Sequence, residues 1–413
     1  MLYICKIIRF RKWKALLIFG LLSLALGIRI FMDTLNVSVV QLTELHKCPA
    51  CYGVSACSNI FKNKIKIEYS SLHMVFANLF STKNVYYATN GIKPIVLKKL
   101  AHTAELDAFD TDLCTDPNLI DICPRNINQA QTHNIDFYSR IIKEISLDYE
   151  TVDGSRLRLC PSTDRIDLLF YNVFANSGND KKIVSQAYLW TMIKINPEPL
   201  ILQILSIDNA WPVPKYLGAC GRLVLEEYAG QPLNNFHSES WMHRAKIASR
   251  LLRAARMFTF RNPDFGFYLT DISPENIAVD SQYEIKFVDL ENIIVVDKKL
   301  STKNDINDWH KIHTNNFDFE CQNCLTFSPM DICSHQLSDH NYYAVCQHLL
   351  SEKTSATSIP GGLLHDIPVA ILEKYPNLSH LIEQCAVPDL PNNRISFGDH
   401  LKEMLDDILD NLT

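Results

Sequence analysis

Asp271, Asn276 and Asp289 have the residue types and the spacing for chemistry on a phosphate. They fall within LTDISPENIAVDSQYEIKFVDLEN, residues 269–292 of a chain of 413. Ile277, Ala278 and Val279 make a short apolar strand, and Asp280, Ser281 and Gln282 supply turn chemistry. Residues 284–288 alternate polar and apolar, as a half-buried strand does. A hairpin reversing at residues 280–282 returns Asp289 to the end where Asn276 lies. Phosphoryl transfer uses such a set: one carboxylate orients the attacking hydroxyl, and an Asp and an Asn hold metal ions on the phosphates. The plainer alternative is a surface hairpin with acids at its tips, because D-x-x-x-x-N alone is a weak signal.

The order of these pieces resembles the catalytic loop and metal-binding turn of protein kinases, with Asp289-Leu290-Glu291 where that family carries D-F-G. An earlier Asp264-Phe265-Gly266 spells D-F-G but precedes the loop, so chain order excludes it from the metal role. The elements that must position the set lie upstream. Residues 85–88 and 95–97 flank Asn90-Gly91, a hairpin signal. Lys98 follows in the V-x-K phase of the strand that carries the phosphate-contacting lysine, with Lys99 beside it. A helix after Leu100 offers Glu105 as the ion-pair partner of Lys98, and Glu144 on the helical stretch 136–144 is the other candidate. Residues 222–230, RLVLEEYAG, read as a strand running into a glycine linker and resemble the kinase hinge. A helix over 240–258 follows, with Trp241, Ala245, Ala248, Leu252 and Ala255 at helical spacing and its basic residues on solvated faces. Residues 111–196 read as an insertion. Asp339, at the head of a later apolar helix, resembles the kinase aspartate that bonds the catalytic-loop backbone; a simple N-cap fits the residue equally well.

Departures from the kinase pattern are specific. Only Gly91 falls in the first hairpin, where kinases place several glycines over the phosphates. Thr270 stands where an arginine usually precedes the catalytic aspartate, and no A-P-E follows Asp289. Cys321, Cys324 and Cys333 occupy that stretch instead, which suggests a segment held by disulfides rather than switched by phosphorylation.

Composition sets the compartment. A hydrophobic content of 47% suits a globular protein with a real core, and a net charge of −6 argues against nucleic acid as a main partner. Lys6, Arg9, Arg11, Lys12 and Lys14 precede an apolar run over 15–28, a basic n-region and an h-region. That run spans about 21 Å as a helix, short of the roughly 30 Å hydrocarbon core, so a cleaved signal is favoured over an uncleaved anchor. Both readings place the rest of the chain in the secretory pathway. Outside this leader stand Cys48, Cys51, Cys57, Cys114, Cys123, Cys160, Cys220, Cys321, Cys324, Cys333, Cys346 and Cys385, an even number that suggests disulfides. The pairs Cys48/Cys51 and Cys321/Cys324 have zinc-ligand spacing, but the oxidising compartment favours bridges. If all twelve pair, the groups at 48–57 and 321–333, three cysteines each, must each send a bridge outside. Asn36 and Asn377 head glycosylation sequons, as does Asn411 at the chain end.

The strings CPACYGVSAC, VLKKL, NPEPLILQ, KYLGACGR, FVDLENIIVVDK, DHNYYAVCQ and GGLLHD occur in this order. Together they resemble the divergent protein kinase domain 2 family, the deleted-in-autism-1 group of the FAM69-type secretory kinase-like proteins, over most of the chain from Cys48. The resemblance implies an α+β, bilobal protein-kinase-like fold with a cysteine-rich N-terminal segment and an N-lobe insertion. The expected divisions are a leader over 1–27, the cysteine segment over 28–75, an N-lobe over 76–232 and a C-lobe over 233–413. It further implies Asp271 as catalytic aspartate, Asn276 and Asp289 as ligands of Mg²⁺ or Mn²⁺, and Lys98 on the phosphates of ATP; the glutamate partner of Lys98 stays open between Glu105 and Glu144. The implied location is the Golgi or another secretory compartment, or outside the cell. Partners would be secretory or extracellular protein clients or a cell-surface receptor; a membrane enters only if the leader stays uncleaved. Three functions stay open: a lumenal protein kinase, a catalytically inactive kinase fold serving as secreted ligand or scaffold, and a kinase-fold enzyme acting on a small molecule or sugar.

Overall fold

The computed structural model describes residues 38–67, 84–115, 137–145, 156–175, 182–205, 210–299, 308–316, 325–352, 358–390 and 393–412, with a few positions between 19 and 29. Most of the leader, Asn36, Cys123, Cys321 and Cys324 lie outside the described residues. Among the described residues no helix is long and apolar enough to cross a membrane.

Strands β1 (Ile65–Ile67), β2 (Asn84–Asn90) and β3 (Lys93–Lys99) are joined in one sheet by two later strands. β4 (Arg158–Cys160) belongs elsewhere, and β5 (Tyr216–Cys220) and β6 (Leu223–Glu227) complete the sheet in the order β1-β2-β3-β6-β5. All its pairs are antiparallel. The β2–β3 turn falls at Gly91, whose φ of +68° is a left-handed conformation that costs glycine little. Period-two alternation then gives the sheet two different faces. Ile95, Leu97, Leu223 and Leu225 pack against Val39, Leu42, Ala56 and Ile60 of the N-terminal segment. Val85, Tyr87, Val96, Lys98 and Glu226 face a cleft on the other side.

Disulfides hold the N-terminal segment there. Cys48 bonds Cys51 and Cys57 bonds Cys220, the latter fastening the segment to β5. Cys160 bonds Cys333 and Cys346 bonds Cys385, and Cys114 is also disulfide-bonded. The bridges from Cys57 and Cys333 are the outward ones that parity required of their groups, and the Cys48–Cys51 bridge replaces the zinc alternative for that pair.

Below the sheet the chain is mostly helical. β7 (Gln231–Pro232) crosses to a helix over Trp241–Phe260, N-capped by the Ser240 hydroxyl accepting from His243 N. β8 (Phe265–Tyr268) precedes β9 (Ile277–Val279) and β10 (Ile285–Phe287), which form the hairpin read from the sequence, Ile285 opposite Val279. Asp280 Oδ1 closes its turn by accepting from Gln282 N and Glu284 N, both at 2.8 Å. β11 (Ile294–Asp297) then lies between β4 and β8. Phe258, Phe267, Phe287 and Trp211 meet edge to face or tilted and anchor the hairpin on the long helix. The basic residues of that helix are mostly engaged: Arg250 and Arg253 pair with Glu284, Arg256 with Asp399, and Arg244 is buried against Leu363 O and His365 O.

Candidate nucleotide cleft

The sequence leaves Lys98 and Lys99 open as the cleft lysine. Lys99 Nζ turns to Glu44 Oε2 at 3.2 Å, toward the N-terminal segment. Lys98 lies on the opposite face of β3 and is buried, as the strand alternation dictates. Its ammonium lies 2.8 Å from Glu198 Oε1 and 2.9 Å from Glu226 Oε2, and it also donates to Val288 O, next to Asp289. Burial alone would favour the neutral amine; the carboxylates of Glu198, Glu226 and Asp289 outweigh it and raise the Lys98 pKa above the usual lysine range.

The partner of Lys98 is therefore Glu198, not Glu105. Glu105 accepts from His102 N at 2.8 Å and closes the first turn of its own helix, Thr103–Thr115. Glu144 bonds Lys194. Glu198 opens the helix Glu198–Leu205, of which Pro199, Leu200, Ile201 and Leu202 are all buried. Asn196 fixes the start of that helix: its Oδ1 accepts from Glu198 N, and its Nδ2 donates to Leu100 O and to Glu291 Oε2. Glu291, at the place of the glycine in D-F-G, thus ties the Asp289 turn to the helix that supplies Glu198. The stretch read as an insertion leads straight into this helix. Glu198 is not among the partners that the sequence offers for Lys98; its one signal there is a lone acid heading the apolar, buried helix of the NPEPLILQ stretch.

Burial raises the Glu198 carboxyl pKa, the nearby Glu226 adds to this, and Lys98 opposes it; Glu198 stays well above the usual range. Glu226 is pushed up more modestly, by burial against the same lysine.

Asn276 and Asp289 line the same cleft, with Glu275, Ala278, Val288 and Glu291 on that wall. Val288 N donates to Asn276 O at 2.9 Å, and Thr270 Oγ1 donates to Asn292 O, so the catalytic-type loop is stitched to the Asp289 turn at both ends. Asp271 is exposed on that loop and is not part of the cleft lining. Gly230 lets the linker after β6 close on the hairpin: a Cβ there would lie 2.2 Å from Val279 O. The cleft has a volume of about 290 Å³, at the small end of ligand pockets. Asn377, the sequon residue, is exposed elsewhere, at the head of helix Leu378–Ala386.

The support of the loop differs from expectation. Among the described residues the Asp339 carboxylate makes no bond to the loop backbone. Its carboxylate accepts from Asn315 N and Nδ2 and pairs with Arg394, all three residues buried. The two residues after it hold the loop instead. Asn341 Oδ1 accepts from Leu269 N at 3.0 Å, and His340 Nε2 donates to Leu269 O at 2.9 Å.

His340 gives the fold a pH response. Burial holds its pKa down at about 4, against an ordinary value of 6.5, with the bond to Leu269 O opposing and His313 and Arg394 adding to the depression. Between these two values the unfolded chain binds the proton and the folded chain does not, so stability falls as pH falls through this window. The imidazole is expected to account for about 3 kcal/mol of loss between pH 7 and pH 4. Denaturant unfolding of His340→Gln, which keeps an N–H for Leu269 O, should show a shallower acid decline than wild type; parallel declines would contradict the assignment.

Comparison with known proteins decides the family. The chain is 35% identical to divergent protein kinase domain 2A of Xenopus tropicalis over 388 residues, covering 90% of this chain and 89% of the relative. This chain belongs to the divergent protein kinase domain 2 family. The human 2A member is 34% identical over 390 residues, with 90% of this chain and 89% of the relative covered. The human 2B member is 24% identical over 321 residues, covering 74% and 72%. The model described as the protein-kinase domain of FAM69 matches residues 189–388, which include Glu198, Glu226 and the loop and hairpin of this family member. A solved erythromycin complex from Mycobacterium tuberculosis overlays 52% of this chain and 44% of its own at 14% identity, with a TM-score of 0.23, too low to carry an argument.

Proposed function

We propose that the cleft binds ATP with Mg²⁺ or Mn²⁺ and that the protein transfers the γ-phosphoryl group to a protein hydroxyl in the secretory pathway. The observation that carries this reading is the buried Lys98–Glu198 pair facing Asn276 and Asp289 across one cleft. Asn276 and Asp289 offer hard oxygen donors, which suit a divalent ion that also keeps phosphate and water ligands. Bound there, the ion would neutralise phosphate charge. The lining holds Glu198, Glu226, Glu227, Glu275, Asp289 and Glu291 against the ammonium of Lys98, that of Lys99 being turned to Glu44, so a triphosphate needs that neutralisation to enter. Asp271 orients the acceptor hydroxyl and receives its proton as the acceptor oxygen bonds the γ-phosphorus and the bond to the β-phosphate oxygen breaks.

The test is transfer of labelled γ-phosphate to secretory proteins by the intact secreted chain. Asp271→Asn should lower the rate by about 10²-fold or more; an unchanged rate would remove Asp271 from the reaction. A second reading, a catalytically inactive ligand or scaffold for a cell-surface receptor, draws on one observation. The ammonium of Lys98 has three N–H donors, and Glu198, Glu226 and Val288 take them all. A phosphate contact would have to displace one of these partners. A sugar or small-molecule acceptor is the third reading, separated from the first by which acceptor takes the label.

A further inference from the structure

Glu226 has no part in the transfer chemistry above. It is 1% exposed, lines the cleft, and directly precedes Glu227, Tyr228 and Ala229, which also line it. Its Oε2 meets Lys98, but its buried Oε1 has no hydrogen-bond partner among the described residues. Lys98 cannot serve that oxygen, because its donors are spent. Buried carboxylate oxygens are satisfied as a rule, so an orphan on a cleft-lining residue asks for a donor on whatever fills the cleft.

The walls say what shape that is. Val85 and Val96 lie on the sheet side and Ala278 on the hairpin side. Val85 and Tyr87 are left 38% and 37% exposed in this apolar slot, which suits a flat heterocycle. We propose that Glu226 selects the base: its Oε1 accepts an N–H from the exocyclic amine of a 6-aminopurine nucleotide. This rests on the nucleotide reading above and adds a specificity determinant to it. A 6-oxopurine would turn a carbonyl oxygen toward the carboxylate and leave Oε1 unpaired. Guanine carries the same 6-oxo group and in that pose would meet Oε1 with the same carbonyl oxygen.

The experiment titrates the intact secreted chain with ATP and with inosine triphosphate, both with Mn²⁺, for wild type, Glu226→Met and Glu226→Gln. Wild type should bind ATP at least tenfold more tightly than the 6-oxo analogue. Glu226→Met should bring the ratio close to one by weakening ATP; Glu226→Gln, whose amide oxygen goes to Lys98 and whose NH2 then meets the base, should bring it to one or below and serves if the Met variant does not fold. Equal affinities in wild type, or tighter binding of the oxo analogue, would overturn the proposal. So would a Met variant that tightens both nucleotides alike, since Glu226 would then only compete with phosphate for Lys98. If wild type binds neither nucleotide at millimolar concentration, the nucleotide reading fails together with this one; binding of both without discrimination fails this one alone.

Discussion

Lys98→Met is expected to cost about 3–5 kcal/mol of folding stability, the range seen when one partner of a buried ion pair is removed. Glu198 and Glu226, each 1% exposed, would face each other without the ammonium between them. The loss comes from stranded charge more than from packing, because Met nearly matches the lysine stem in volume. Two consequences separate these causes. Adding Glu226→Gln to Lys98→Met should recover part of the loss, as only one buried carboxylate remains. Acidification should help the variant relative to wild type. Both carboxyl pKa values already lie above their usual range and would rise further without Lys98, so the folded state binds more protons than the unfolded state and stability falls as pH rises. Denaturant midpoints at pH 5 and pH 8, at constant m-value, read this directly. A variant as stable as wild type at pH 8 would mean that the cluster is not a buried ion-pair site.

The second large effect lies away from the cleft. Arg394 is 2% exposed, pairs with Asp339, donates to Cys385 O at 3.1 Å and Asn315 O at 2.8 Å, and lies 5.0 Å from the Tyr343 ring centroid. Arg394→Met leaves Asp339 buried with its remaining donors from Asn315 alone, an expected loss of about 3–5 kcal/mol. Since His340 and Asn341 follow Asp339 and grip Leu269, the loss should reach the loop that carries Asp271. Hydrogen exchange is the readout: amides over 268–276 should lose protection in Arg394→Met and regain part of it when Asp339→Asn is added. Unchanged protection there would confine Arg394 to local packing.

The parts of the site that were legible in the sequence are those encoded locally. The β9–β10 hairpin follows from alternation and from Asp280 as its turn residue. The placement of Lys98 follows from strand phase, because residues two apart share a face and Lys99 must point away. The helix over Trp241–Phe260 follows from Ser240 and helical spacing. What was not legible depends on pairing across long separations. Glu198 lies one hundred positions from Lys98 along the chain, and its helix is buried nearly all round, so no amphipathic stripe marks which side meets the sheet. Glu105 stood nearer in sequence, yet a first-turn glutamate satisfies its own helix end more readily than it reaches across a sheet. The sequence leaves Asp339 open between a backbone contact and an N-cap; side-chain type alone does not tell whether a buried aspartate meets backbone amides or an arginine. Cysteine parity showed that bridges leave both groups, while the choice of Cys220 and Cys160 as partners needed the fold.

Whether Asp289, Asn276 and Lys98 together bind a metal–nucleotide decides what the cleft does. Thermal unfolding of the chain, expressed through a secretory host, with ATP and Mn²⁺, beside Asp289→Ala, tests this most directly. At a hundred times its dissociation constant the ligand stabilises by about 2.7 kcal/mol. The expected result is a shift in wild type that requires the divalent ion and is lost in Asp289→Ala. No shift at millimolar ATP, or an equal shift in the variant, would contradict the assignment of the cleft.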